Sequence, residues 1–318
     1  MRKLLLFVFA LLLPVVVDAQ SNVVTIDGIS YKLSTIKRGN RPLSAEVVRS
    51  VDYSGDIVIP EKIVWQNTTY VVTKVDKLSG CEDITSIVLP DCIEEIHAGA
   101  FKGCTKLTSV KLPKGIETIA FFSECISLTS FDIPNSVIRI EGDAFRDCKF
   151  LSTVRIPESV REIGSSAFEG CVHLKSITLP EGIKEIRSSL FERCSELTSI
   201  NIPSSVKEIY PSAFEGCIAL TTITIPDNVI RIGSDAFKNC LNLKTVYIGS
   251  GVKETGITLF ENCRNLTDIY CKMVNCPRIN ESAFEKLSCN RITLHVPSSS
   301  VDMYKNMSPW NQFNIVGM

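Results

Sequence analysis

Along most of this chain, hydrophobic positions return in one fixed order. Leu151 to Ile156 (L-S-T-V-R-I) alternates apolar and polar residues toward its end, as a strand with one buried side does. Pro157 stops that strand, because it has no N–H to donate and a fixed φ. Val160 and Ile163 make a second apolar step, and Gly164-Ser165-Ser166 reads as a turn. Ala167, Phe168 and Cys171 then fall at helical spacing, which predicts a short helix or 3₁₀ turn. The same order recurs on both sides. Cysteines stand at 81, 104, 125, 148, 171, 194, 217, 240 and 263, with gaps of 23 residues and a single gap of 21. A Phe precedes each by three residues from Phe101 to Phe260, and Leu78 fills that slot before Cys81. Prolines keep the same step from Pro90 to Pro226, with Gly249 in the next slot. The unit is C-x-x-L-x-x-I-x-I-P-x-x-V-x-x-I-x-x-x-A-F-x-x-C.

One such unit cannot bury its own apolar side, but stacked units make a continuous core. The pattern therefore predicts an α/β-type repeat solenoid: a parallel β-solenoid of about nine 23-residue coils with short helical or 3₁₀ turns, capped at both ends. With parallel strands about 4.8 Å apart, the stack is a rod or arc of about 45 Å. The one short unit loses two residues between Pro113 and Phe122, in the turn before the Phe.

The flanks divide the rest. Arg2 and Lys3, the apolar run Leu4 to Val17 and then Val17-Asp18-Ala19 follow the three-part pattern of a secretory signal peptide, so residues 1–19 are expected to be removed. The run is too short for a comfortable membrane span, and no second one follows, so no transmembrane segment is expected in the mature chain. Residues 20–80 read as an N-terminal cap plus an enlarged first coil, with a hairpin around Asp27-Gly28. Residues 81–289 are the solenoid and 290–318 a C-terminal cap, which covers apolar ends and open strand edges.

With the unit written out, the chain resembles the BspA-like leucine-rich-repeat family of bacterial surface and secreted proteins. The likeness rests on Leu220 to Pro226, Val160 to Phe168, the closing Cys, the opening Tyr53 to Pro60, and the ending Val296-Pro297, Tyr304-Lys305, Trp310 and Phe313. It covers about residues 53 to 318. The resemblance implies a leucine-rich-repeat fold and extracellular recognition or attachment, without naming a ligand.

Composition narrows the function. Net charge is −1, which gives no reason to expect nucleic acid. The three histidines, His97, His173 and His295, belong to different coils, and no G-x-S-x-G, H-E-x-x-H or P-loop accompanies them. An enzyme, a cofactor and a metal cluster are therefore not expected. Nine of the thirteen cysteines sit in the repeat column and read as buried free thiols. Cys271, Cys276 and Cys289 crowd the C-terminal coil, where a disulfide is one alternative.

Recognition chemistry is left to the outward strand positions. One column is Ser86, Ser109, Ser130, Thr153, Ser176, Ser199, Thr222, Thr245 and Asp268, whose hydroxyls could form a stabilising ladder. Its neighbour is Lys111, Asp132, Arg155, Thr178, Asn201, Thr224, Tyr247 and Tyr270, the candidate ligand-binding face, with the two tyrosines as aromatic anchors. The expected function is a secreted or surface-exposed binding protein for a protein or glycan ligand. The alternative is a structural module of a surface complex without a host ligand. Nothing in the sequence sets the oligomeric state.

Overall fold

The computed structural model describes residues 22–36, 41–277 and 279–318, together with the backbone strand Val17–Asp18. The signal peptide read at 1–19 otherwise lies outside the described residues. The described chain winds as a parallel β-solenoid of about twelve turns. Its first face is a column of twelve short strands. Nine come from the repeat, from Asp83–Val88 to Asp268–Cys271. Ser54–Val58 precedes them, and Thr293–Val296 and Asn314–Gly317 follow. The count exceeds the nine expected because these three flanking strands continue the column without carrying the repeat motif.

Along this face the strands pair in parallel, each residue opposite its counterpart one coil away, as Ser176 is to Ser199 and Thr222 to Thr245. The buried residue of each strand points inward, as Val154 and Ile177 do, and its neighbours point to solvent. After the Pro, a second face carries two-residue strands such as Glu162–Ile163 and Glu208–Ile209.

The third face differs from the short helix or 3₁₀ turn expected over A-F-x-x-C. It is a run of hydrogen-bonded turns: Glu169 N–H donates to Ser166 O at 3.1 Å, Cys171 to Phe168 O at 3.2 Å and Leu174 to Cys171 O at 3.1 Å. Ser166 and Gly170 hold φ of +57° and +71°, in the left-handed region. Interleaving them with right-handed residues turns alternate N–H groups along the solenoid axis. Ser166, Phe168 and Gly170 accordingly donate to Ser188, Leu190 and Glu192 of the next coil at 2.8–3.1 Å. Backbone groups that a helix would satisfy internally are satisfied between coils.

Inside, the columns are continuous. Nine phenylalanines, from Phe101 to Phe260 at the repeat spacing and then Phe284, stack with ring centroids 5.4–6.1 Å apart. The cysteines beside them are buried and free. They also make bonds. Cys171 Sγ donates to Phe145 O, Cys194 to Phe168 O and Cys217 to Phe191 O, each at 3.2 Å. Each thiol thus reaches a buried carbonyl of the preceding coil, which a purely apolar residue of that size could not do. Burial pushes these thiols up, Cys104 to about 12.

The short coil keeps this register by substitution. Phe121 takes the slot that Ala, or in two coils Leu, holds elsewhere: Phe101 N–H donates to Phe121 O at 3.1 Å, as Phe122 N–H does to Ala144 O at 2.8 Å. Its ring is buried edge-on against both Phe101 and Phe122, beside their stack.

The ends are closed. Val23–Ile26 and Ile29–Leu33 form the hairpin around Asp27-Gly28. Leu43–Val47 lies beside Ile29–Leu33 on one edge and runs parallel to Thr68–Val75 on the other. At the far end, Trp310 and Phe313 cover the last ring of the ladder, 5.4 and 4.7 Å from Phe284, and Trp310 Nε1 donates to Pro277 O at 3.1 Å.

Candidate recognition face

Backbone register sets the geometry of the outward columns. Along the candidate face Lys111, Asp132, Arg155, Thr178, Asn201, Thr224 and Tyr247 are all exposed, and Tyr270 is half-buried. Two of the three charged members are partners: Arg155 Nε lies 3.7 Å from Asp132. Thr178 and Asn201 stand side by side in one pairing and Thr224 and Tyr247 in another.

The hydroxyl ladder expected at Ser109, Ser130 and their equivalents sits one position earlier. Thr108, Ser152 and Thr198 donate from their hydroxyls to the carbonyls of Thr85, Thr129 and Lys175 at 3.0–3.1 Å. The side chain just before the strand is close enough to the previous coil to bond its backbone. The first outward column is therefore not used up by internal bonding over most of its length. At its two ends it is paired: Ser86 Oγ donates to Asp56 at 2.6 Å, and Asp268 accepts from His295.

The C-terminal end is organised differently from the rest. Five strands, Thr222–Ile225 through Asn314–Gly317, form one unbroken sheet, while the strands before them are grouped in twos and threes. On this sheet Tyr247 and Tyr270 stack with centroids 4.8 Å apart and planes 18° apart. His295 extends the stack, 4.1 Å from Tyr270 and 5° from parallel. Its Nε2 is 2.9 Å from Asp268 Oδ1, and this bond holds the Asp268 carboxyl below its ordinary value. Three rings, fixed by parallel pairing beneath them and by one carboxylate, form a rigid aromatic strip with its outer edges toward solvent. From the sequence, His295 carries no expected role. The coil that carries it is longer, so it falls 25 residues after Tyr270 and outside the repeat register; the parallel pairing of Thr293–Val296 is what sets it opposite Tyr270.

Cys271, Cys276 and Cys289 are all free thiols in the structure. Cys271 is buried with Sγ 3.0 Å from Tyr304 Oη, and that hydroxyl donates to Met273 O at 3.0 Å. Cys289 is buried and Cys276 half-buried. His173 pairs with Glu196 at 2.8 Å and stacks on the exposed Phe150 at 5.1 Å. His97 lies within 3.4 Å of Glu46 and 3.6 Å of Glu95, at the junction of cap and first coil. That clustering was invisible in the sequence, because Glu46 lies outside the repeat.

A groove accompanies the short coil. Glu95–Ile96 pairs back to Lys74–Val75 and Thr118–Ile119 pairs forward to Arg139–Ile140, so among the described residues the second-face ladder is interrupted between them. A groove of about 1110 Å³ lies there, lined by Ile96, Ile116, Phe121, Glu95, Glu117 and Glu141 among others.

The repeat profile described as BspA type leucine rich repeat region matches in overlapping segments, 76–197, 120–240 and 184–308, with six copies. The chain is a member of the BspA-type leucine-rich-repeat family. Proteins of this family are typically bacterial surface proteins, and repeat proteins of this kind are generally not enzymes. A search of curated proteins returns no match. Among solved structures, a leucine-rich repeat protein from Bacteroides ovatus ATCC 8483 is similar, with a TM-score of 0.64 and 22% identity over 87% of this chain and 86% of that one. The leucine-rich repeat protein of T. pallidum is 31% identical over 60% of this chain and 87% of that one, with a TM-score of 0.51. A leucine rich cell surface protein from Faecalibacterium prausnitzii A2-165 is 21% identical over 93% of this chain and 94% of that one, with a TM-score of 0.46. No helix of this BspA-type chain, among the described residues, is long and apolar enough to cross a membrane.

Proposed function

We propose that this BspA-type protein is exported and acts outside the cell as a binding protein, recognising a protein or glycan through the outward face of its strand column. The observation that carries the reading is the Tyr247–Tyr270–His295 strip on the unbroken five-strand sheet. Rigid aromatic groups lose little entropy when a ligand arrives, so they serve as anchors. The polar positions beside the strip, Thr224 and Asn201, supply hydroxyl and amide groups for orientation. The run from Lys111 to Thr178 offers charge and hydroxyls for a longer ligand. Membership of a family of bacterial surface proteins supports an extracellular setting.

The test compares the purified protein with a Tyr247→Ala/Tyr270→Ala variant. Both are screened against immobilised host matrix proteins, glycans and the producing cell's own surface proteins. A ligand held by the wild type and lost by a folded variant supports the proposal. Undiminished binding by the variant overturns the assignment to this face. Self-association or co-purification with surface proteins of the producer, and no host ligand, favours the alternative of an assembly module.

A further inference from the structure

The junction between cap and first coil gathers donors from three segments far apart in sequence. Leu43–Val47, Thr68–Val75 and Glu95–Ile96 are consecutive parallel strands, with Glu46 opposite Lys74 and Lys74 opposite Glu95. Side chains two residues apart on a strand share a face. Asp76 and His97 extend that face just past their strands. Their backbones are pinned there: Asp76 N–H donates to Val47 O at 2.9 Å, and His97 N–H to Val75 O at 3.0 Å. The result is one half-buried patch where donor atoms of Glu46, Asp76 and His97 all lie within 4.8 Å of one another.

We propose that Glu46, Asp76 and His97 bind a divalent transition-metal ion of the Zn²⁺ type, which clamps the N-terminal cap to the first coil. Three observations support this. An imidazole with carboxylates is a donor set that suits zinc and its neighbours. The His97 Nε2 to Glu46 Oε1 separation is 3.4 Å. Two ligands about 2.0–2.1 Å from a tetrahedral zinc stand about 3.3–3.4 Å apart, so this pair already has the required span. Charge also fits. Glu46, Asp76 and Glu95 face one ammonium, Lys74, which pairs with Glu95. The excess of two negative charges is what a divalent cation neutralises. Glu95 Oε1, 3.6 Å from His97 Nε2, is a fourth donor within reach, and water can otherwise complete the shell. Because the ligands come from the cap and from the first coil, binding favours the docked state over any state with the cap detached.

The experiment uses the full chain, freed of metal by a chelator and titrated with ZnCl₂ in a calorimeter, with thermal melts run alongside. The wild type is expected to take one Zn²⁺ per chain with micromolar or tighter affinity and to melt at higher temperature when loaded. His97→Ala and the isosteric Glu46→Gln are expected to bind at least about tenfold more weakly and to lose the rise in melting temperature. No uptake by the wild type at micromolar zinc overturns the proposal. So does uptake that both variants retain at wild-type affinity, which places the ion elsewhere, for instance on the half-buried thiols. The Glu46→Gln variant keeps the shape of the strand, so a loss of binding there is not a failure to fold.

Discussion

Removing one ring from the middle of the phenylalanine ladder tests the logic of the stack. Phe191 has no exposed surface and stacks between Phe168 and Phe214 at 5.8 and 5.6 Å. Truncating a buried Phe to Ala costs about 3–5 kcal/mol in ordinary cores, the spread depending on how far the site collapses. Collapse is restricted here. Phe168 N–H bonds Leu190 O at 3.1 Å and Phe191 N–H bonds Ala213 O at 2.9 Å, so the backbone holds the coils at their spacing. The neighbouring rings also lose a stacked partner on one side each, about 0.5–1.5 kcal/mol per pair beyond area. We therefore expect Phe191→Ala to cost about 4–5 kcal/mol, and to lower the melting temperature by about 5–10 °C. Urea denaturation measures the first and calorimetry the second. Because each coil touches only its neighbours, amide exchange should accelerate most in the coils of Phe168, Phe191 and Phe214. The control is Phe150→Ala, a ring 53% exposed, expected within about 0.5 kcal/mol of wild type. A loss below about 1 kcal/mol at Phe191, or equal losses at the two positions, would refute the reasoning that the fixed spacing of the coils keeps the site from collapsing.

Other expectations follow from the same geometry. Gly216 holds φ of +73° in the third-face turn, so Gly216→Ala should cost about 1–2 kcal/mol, while Ala at Gly115, where the added carbon meets open space, should be close to neutral; paired urea melts decide this. Native protein treated with iodoacetamide near pH 8 should label at Cys92 and Cys276, which are only half-buried, before any column thiol, since those are buried; fast native labelling at Cys194, read by mass spectrometry, would contradict the buried column. The bond from His295 holds the Asp268 carboxyl below its ordinary value, so its contribution is complete above about pH 4 and fades as pH falls through the lowered value. Asp268→Asn should flatten that part of the stability–pH curve, and an unchanged acid limb would count against the pairing.

The columns could be read from the sequence because a solenoid converts spacing along the chain into position in space. Once the unit repeats, Phe168, Phe191 and Phe214 must overlie one another, and Tyr247 must overlie Tyr270. The same logic fails wherever coil length changes. Phe284 falls 24 residues after Phe260, and His295 falls 25 after Tyr270, so both were missed although each completes its column. The turns on the third face are hidden from the sequence for another reason. Apolar spacing is the same whether Ala167, Phe168 and Cys171 sit on a helical turn or on linked turns, and the deciding left-handed φ at Ser166 leaves no mark on the residue type. The Glu46, Asp76 and His97 cluster depends on how a non-repeating cap docks, which only tertiary structure sets.

The coil that is two residues short separates two dimensions of the rod. Its pitch is set by backbone bonds from one winding to the next, and its perimeter by how much chain each winding spends at the corner. Phe121 moving into the alanine slot shortens the perimeter without disturbing the pitch. No phase error passes to later windings, because each one is re-indexed by its own Phe and Cys. The interior can stay uniform while the outline is sculpted one winding at a time, leaving a notch such as the groove between Glu95–Ile96 and Thr118–Ile119. Such a scaffold can vary its outer contour through small insertions and losses at the corners, with the stack beneath left as it was.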